Sequence, residues 1–348
     1  MIISRTPYRI SFFGGGTDYP LWFREHGGAV LAATINHYCY ISCRFFPPFF
    51  NHLSRVVWSK IELVEDNQEI EHPVIRAVAA HMEMSQGVEV HHQGDLPARS
   101  GLGSSSAFTV GMLHAMHALK GSMISKQDLA REAIHVEQEL LAENVGVQDQ
   151  IQTAFGGLNR IDIDQNAAFQ VRPIPLSDDR LRELEAHILL IYTGVARNAS
   201  DVVATQLSGM ADRKAELHEM RTMVDIGAGI LTGGGDIGDF GRLLNESWKI
   251  KRRLSDQIAP AFVGDIYDRA MSAGALGGKV LGAGGGGFMM FFVRPQDHVP
   301  VLKALSELLV VPVEFDFSGS QLIFYDPPRY SRTAQHRRDY HRYAAGED

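Results

Sequence analysis

Short apolar runs dominate the start of the chain. Residues 8–13, 29–34, 39–43 and 56–58 are separated by Gly, Asn and Pro, a pattern that predicts β-strands bounded by turns. Between the first two lies Gly14-Gly15-Gly16-Thr17-Asp18-Tyr19. The period then lengthens. Residues 73–82 read as a helix and 88–92 as a strand, and a glycine- and serine-rich stretch follows. From Ala107 to Leu119, the apolar residues Phe108, Val110, Leu113, Ala115, Met116 and Leu119 suit a second helix. Ser125 and Asp128 form a capping-box variant that opens a third, in which Leu129, Ala133, Val136 and Leu140 recur at helical spacing through Leu141. Asp149-Gln150 opens another after the loop 143–148. Residues 188–193 look like a buried strand, and a domain boundary is placed there, dividing the chain at 190/191. The remainder is largely helical over 201–224, 238–254 and 260–273. Residues 279–281, the glycine turn 282–287 and residues 288–293 then predict a hairpin whose tip, with Gly284 and Gly285, can lie against a ligand. A helix over 299–309 and a strand over 311–317 complete an α+β pattern.

At 348 residues and 45% hydrophobic, the chain can bury a large core in two domains. A net charge of −8 argues against nucleic acid as a partner. The tail from residue 327 departs from this balance, with five arginines against three acids, and reads as a solvated or packing appendage. No charged-then-apolar leader opens the chain and no apolar run reaches a membrane span, so a cytoplasmic protein without a membrane partner is expected. Cys39 and Cys43 lie four apart in a strand, positioned to share a face; they make neither a disulfide framework nor a zinc site. Glu132-x-x-His135 is half of a di-iron motif without its second copy, and reads as a helix face.

The chemistry concentrates in residues 97–107. Gly101 and Gly103 let backbone approach a ligand, and serines stand where a helix begins and can cap it, so unpaired amides and the positive dipole end favour phosphate. An ordinary Ser/Gly helix cap has the same composition. This is not a Walker A loop, because no lysine lies between Lys60 and Lys120. Phosphate charge must therefore be met by amides, hydroxyls, a metal or an arginine from elsewhere. Taken alone, Glu137 reads as an acid at the edge of a buried face and Asp149 as a helix cap.

Three glycine-rich segments in this order, residues 7–19, 97–107 and 279–287, resemble the motifs of the galactokinase, homoserine kinase, mevalonate kinase and phosphomevalonate kinase superfamily, the GHMP kinases. The resemblance implies an α+β fold: a ribosomal-protein-S5-like N-terminal domain over 1–190 and a ferredoxin-like C-terminal domain over 191–326, with the active site between them. It also implies ATP- and Mg²⁺-dependent phosphorylation of a small-molecule hydroxyl. Pro97, Arg99, Ser100, Gly101, Leu102, Gly103, Ser104, Ser105 and Ser106 would then hold ATP, and Ser105 and Glu137 would ligate magnesium, both being hard oxygen donors. Asp149 matches the catalytic acid that takes the hydroxyl's proton, and Arg9 the cation that keeps it ionised. Glu137 precedes Asp149 by twelve residues and Arg9 precedes Asp18 by nine, as in galactokinase-like members.

Asp18 resembles the acid that binds sugar hydroxyls, beside Tyr19, but Gly15 and Gly16 replace the Glu and His of galactokinases. Residues 12–19, 101–106, 143–146 and 193–197 resemble those of the bacterial heptose-7-phosphate kinase branch, which acts on the anomeric hydroxyl on the route to GDP-heptose, capsule and lipopolysaccharide. A phosphate on the acceptor needs basic partners, for which Arg197, Lys251 and Arg252 are the candidates. Fucose kinase domains share much of the pattern. A non-catalytic sensor on the same fold is the competing class, against which Arg9, Ser105, Glu137 and Asp149 stand together. A dinucleotide-binding oxidoreductase fails, because no Gly-x-Gly-x-x-Gly lies between a strand and a helix with an acid about 20 residues on. A homo-oligomer remains compatible with the sequence.

Overall fold

The computed structural model describes residues 1–47, 49–195, 209–254 and 257–327. Arg197, the start of the helix expected over 201–224, and the tail from residue 328 lie outside them.

Two sheets organise the fold. The first has the order β12-β1-β2-β5-β3-β4, with β6 on β2 and β7 on β6. Its strands are β1 (Ile2–Phe13), β2 (Gly28–Phe45), β3 (Ser54–Val57), β4 (Ile61–Val64), β5 (Val88–Gly94), β6 (Leu158–Ile163), β7 (Phe169–Pro173) and β12 (Gln321–Tyr325). The second runs β11-β8-β10-β9, from β8 (Ile188–Tyr192), β9 (Gly277–Val280), β10 (Phe288–Phe292) and β11 (Leu309–Val311).

The runs 29–34 and 39–43 are one strand, not two. The first part of β2 pairs with β6 and the second with β5, and the polar Asn36 and His37 between them are satisfied by Glu314 and Pro312 from far along the chain. Cys39 and Cys43 are buried free thiols. The strand expected over 311–317 does not form there: the helix expected over 299–309 ends at Ala304, β11 takes Leu309–Val311, only Phe315 bridges to Ile35 beyond it, and the chain turns back so that β12 pairs with β1 of the first sheet. A C-terminal strand thus crosses the division expected at 190/191.

The helices are α1 (Pro20–His26), α2 (Pro73–His81), α3 (Ser104–Leu119), α4 (Lys126–His135), α5 (Gln148–Phe155), α6 (Asp178–Ala186), α7 (Lys214–Thr232), α8 (Gly238–Leu254), α9 (Ala261–Ser272) and α10 (His298–Ala304). Helix α3 packs on β1 and β2 and is buried on nearly every side, which explains its continuous apolar composition. The sheets meet at the end of β1. There Phe12 and Phe13 pack edge-on against Phe240 of α8, with ring centroids 5.2 and 5.0 Å away, and Phe240 packs on Phe292 of β10. Among the described residues, no helix is long and apolar enough to cross a membrane.

Candidate active site

The three glycine segments, distant in sequence, touch one another. Helix α3 starts at Ser104, with Gly103 before it in the left-handed region (φ +73) and no side-chain cap. The serines therefore form the first turn rather than capping it. The Ala107 amide donates to Gly103 O at 2.9 Å, so the amides of Ser104, Ser105 and Ser106 are left to face an anion. Ser104 Oγ accepts from the Arg99 amide, which fixes the entry to the loop. Ser100 and Leu102 are buried beneath the loop, while Pro97, Arg99 and Ser105 are exposed.

The third segment closes against the second. A Cβ on Gly282 (φ +68) would lie 2.6 Å from Gly101 Cα, so this contact of backbone on backbone requires glycine. Phe288 N donates to Ser100 O at 3.0 Å and Gly285 N to Ile258 O at 2.9 Å.

Arg9 and Asp149 form a forked pair beneath this contact. Arg9 Nε donates to Asp149 Oδ1 at 2.7 Å and Nη2 to Oδ2 at 2.5 Å, while Nη1 donates to Gly101 O at 2.7 Å. Arg9 is buried, whereas Asp149 keeps 26% of its side chain exposed, so its carboxylate is reachable. Gln148 adds a donor to Oδ1 at 3.3 Å and accepts from Ser11 Oγ. Asp18 lies alongside. Its oxygens accept from the Gly16 and Gln148 amides, and its carbonyl from the Val147 amide, tying the first glycine loop to the start of α5. Desolvation, then the nearby Asp149 charge, raises the Asp18 carboxyl above its ordinary range. Tyr19, next to it, precedes α1.

The helix expected to run through Leu141 changes pitch at Val136–Leu140 into a π-turn, and that turn carries Glu137. Glu137 is fully buried. Ser106 Oγ donates to its Oε2 at 2.9 Å and Gln150 Nε2 donates to the same atom. Oε1 has no partner. Burial pushes this carboxyl up to about 7, against the pull of its donors. A buried carboxylate oxygen left open beside the phosphate loop suits a hard divalent cation. Among the described residues no group of three or more His, Cys, Asp and Glu could hold a metal. The structure brings Ser106, rather than Ser105, onto Glu137.

Sequence comparison decides the family. The GHMP kinases N terminal domain profile matches residues 58–157 and the GHMP kinases C terminal profile residues 226–310. The chain belongs to the GHMP kinases. A similar relative is the D-glycero-alpha-D-manno-heptose 7-phosphate kinase of Campylobacter jejuni serotype O:2, 30% identical over 91% of this chain and 96% of that one. The bifunctional fucokinase/GDP-fucose pyrophosphorylase of Arabidopsis thaliana is 24% identical over 89% of this chain and 31% of its own length. Among solved structures, a D-glycero-D-manno-heptose 1-phosphate kinase from Bacteroides thetaiotaomicron superposes with a TM-score of 0.76 at 25% identity, covering 95% of this chain and all of that one. A galactokinase from Lactococcus lactis complexed with galactose shares the fold, with a TM-score of 0.72 at 18% identity over 92% and 94% of the two chains.

In this GHMP kinase the expected residues Arg9, Asp18, Asp149, Glu137 and the phosphate loop converge. Of the three candidates for an acceptor phosphate, Lys251 donates to Gly282 O at 2.5 Å and its ammonium senses Arg9 and Asp18. Arg252 is exposed and Arg197 lies outside the described residues. Sequence reasoning missed Ser11, Gln148 and Gln150, whose signal was two glutamines flanking Asp149. It also left Lys279 unassigned, a cation inside an otherwise apolar strand pair and only 3% exposed.

Proposed function

We propose that this GHMP kinase transfers the γ-phosphoryl of ATP to the anomeric hydroxyl of D-glycero-D-manno-heptose 7-phosphate, giving the 1,7-bisphosphate for nucleotide-activated heptose in the cytoplasm. The observation that carries the kinase reading is the reachable carboxylate of Asp149, held by Arg9 against the phosphate loop. A sensor would have no use for that arrangement. The heptose phosphate as acceptor rests on the similarity to the Campylobacter protein and on Lys251.

In the mechanism, the amides and hydroxyls of residues 101–106 cradle the triphosphate. Asp18 accepts hydrogen bonds from sugar hydroxyls, and the small Gly15 and Gly16 leave room for a longer sugar. Asp149 takes the proton of the C1 hydroxyl as its oxygen bonds to the γ-phosphorus and the bond to the β,γ-bridging oxygen breaks, releasing ADP. Arg9 offsets charge on the transferring phosphoryl and holds the Asp149 carboxylate in place through its forked contact. Glu137 Oε1, with a serine hydroxyl of the first turn, would hold magnesium, which supplies charge neutralisation between the phosphates. Lys251 pairs with the phosphate at the far end of the sugar. The chain is taken as two units, 1–190 and 191–326, with the cleft between them.

A coupled ADP-release assay tests this with heptose 7-phosphate, unphosphorylated heptose, mannose 6-phosphate, fucose and galactose. Turnover concentrated on the heptose phosphate supports the reading. Turnover on fucose, which the similarity to the plant fucokinase would favour, replaces the acceptor and keeps the chemistry; silence on every sugar refutes it.

A further inference from the structure

Two lysines stand near Arg9 and Asp18, and the mechanism above uses only one. Lys279 of β9 is buried, and its ammonium reaches across to donate to Phe12 O at 2.9 Å, at the end of the strand that carries Arg9. Lys251 of α8 donates to Gly282 O. Among the described residues neither has a carboxylate within ion-pair distance. The charged groups that face them are Arg9 of β1, Asp18 of the first glycine loop and each other. Asp149 of α5 stands behind Arg9, already paired with it. Three cations thus share two acids, of which Asp149 alone keeps substantial contact with water.

We propose that Lys279 is a positioning residue for an anionic acceptor: buried, bonded to Phe12 O and without a carboxylate partner among the described residues, it stands with Lys251 as positive charge that an acceptor carrying its own phosphate completes. This rests on the reading that the acceptor is phosphorylated.

The titration of the pair agrees. Desolvation, and then Arg9, lowers Lys251 to about 8; desolvation, then Lys251 and Arg9, holds Lys279 well below its ordinary value. With the cleft open, the pair therefore holds less than its full two protons above neutral pH. A dianion beside it reverses the balance, since opposite charge favours the ammonium form. The balance is simple: one solvent proton adds to one amine, and no bond of the acceptor changes.

Calorimetry without ATP, at about pH 8.5 in two buffers of different ionisation heat, reads the proton directly. Heptose 7-phosphate is expected to take up about one proton per molecule bound, and unphosphorylated heptose none. In kinetics, Lys279→Met is expected to lower the ratio of kcat/KM for phosphorylated over unphosphorylated heptose by about tenfold. Lys279→Arg, which keeps the charge and does not titrate, restores most of that ratio while reducing proton uptake. A merely structural role would reduce both acceptors equally and leave the ratio unchanged. An unchanged ratio, or no uptake by the unmutated enzyme, overturns the proposal; the second result needs no variant to fold. If heptose 7-phosphate is not a substrate while another sugar turns over, the functional reading fails by itself. The same calorimetry with inorganic phosphate then decides the lysine pair alone, with uptake supporting the inference and its absence overturning it.

Discussion

Replacing Asp149 by Asn separates chemistry from binding. The amide is nearly isosteric and keeps one acceptor oxygen, so half of the forked contact with Arg9 survives, while the second position turns an NH₂ toward a guanidinium donor. Arg9 is 4% exposed, but Asp149 is 26% exposed, so water enters on the carboxylate side and the lost attraction is partly screened. A stability loss of about 1–2 kcal/mol is expected, read from the denaturant midpoint. The kinetic loss is larger. General-base catalysis contributes about 10²–10⁴-fold, equivalent to about 3–5 kcal/mol of barrier, and turnover should fall by that factor. ATP affinity should stay within about threefold, because the loop amides and the bond from Arg9 Nη1 to Gly101 O are untouched. Rapid-quench measurement of kcat beside fluorescence titration of a nucleotide separates the two. Turnover above about a tenth of the original would refute the assignment of Asp149 as base. Loss of ATP affinity in step with turnover would instead make Asp149 a strut of the phosphate loop.

Other perturbations probe neighbouring parts. Gly146→Ala places a Cβ 2.0 Å from Asp18 Oδ2, so Asp18 must move, and kcat/KM for the sugar should drop at least about tenfold while ATP affinity holds. Glu137→Gln removes a buried charge whose donors include Ser106 and Gln150; the fold should hold within about 1–2 kcal/mol, and the magnesium concentration for half-maximal rate should rise about tenfold. Lys251 gives a pH dependence with two opposite signs. Affinity for a phosphorylated acceptor should weaken as pH climbs through about 8, where its ammonium is lost. Its contribution to folding stability runs the other way: the unfolded chain binds more protons between about 8 and 10.5, so stability rises with pH there relative to Lys251→Met. Gly282→Ala should unseat the third glycine turn from the second, raising the KM for ATP and lowering the thermal midpoint together.

The sequence was readable where one signal served both local structure and site. The order of strand, glycine loop and helix marked the phosphate loop because glycines and small hydroxyls are needed there whatever surrounds them. The residues that complete the site were harder to read, since their roles depend on partners far along the chain. Ser106 meets Glu137 only because a π-turn rotates the acid inward, and helical periodicity, which assumes a constant 3.6 residues per turn, cannot register that. Asn36 and His37 looked like a break between strands because the groups that satisfy them come from residues 312–314. Strands β6 and β7 left a weaker pattern: they are short, and β7 is largely exposed. Strand β12 shows apolar side chains to solvent, a pattern that period-two reading does not assign to a core.

The pairing of β12 with β1 bears on how the chain is made. Ile2 opposes Tyr325, and the Asp326 amide donates to Met1 O, so the strand that carries Arg9 finds its last neighbour more than three hundred residues after it leaves the ribosome. At about 5–20 residues per second, the outer edge of β1 waits some tens of seconds for its cover. Through that interval the nascent first sheet offers other chains an open row of backbone donors and acceptors. Synthesis halted before Gln321 would thus release a catalytic framework with its edge bare, prone to pair with its own kind before it could act on anything.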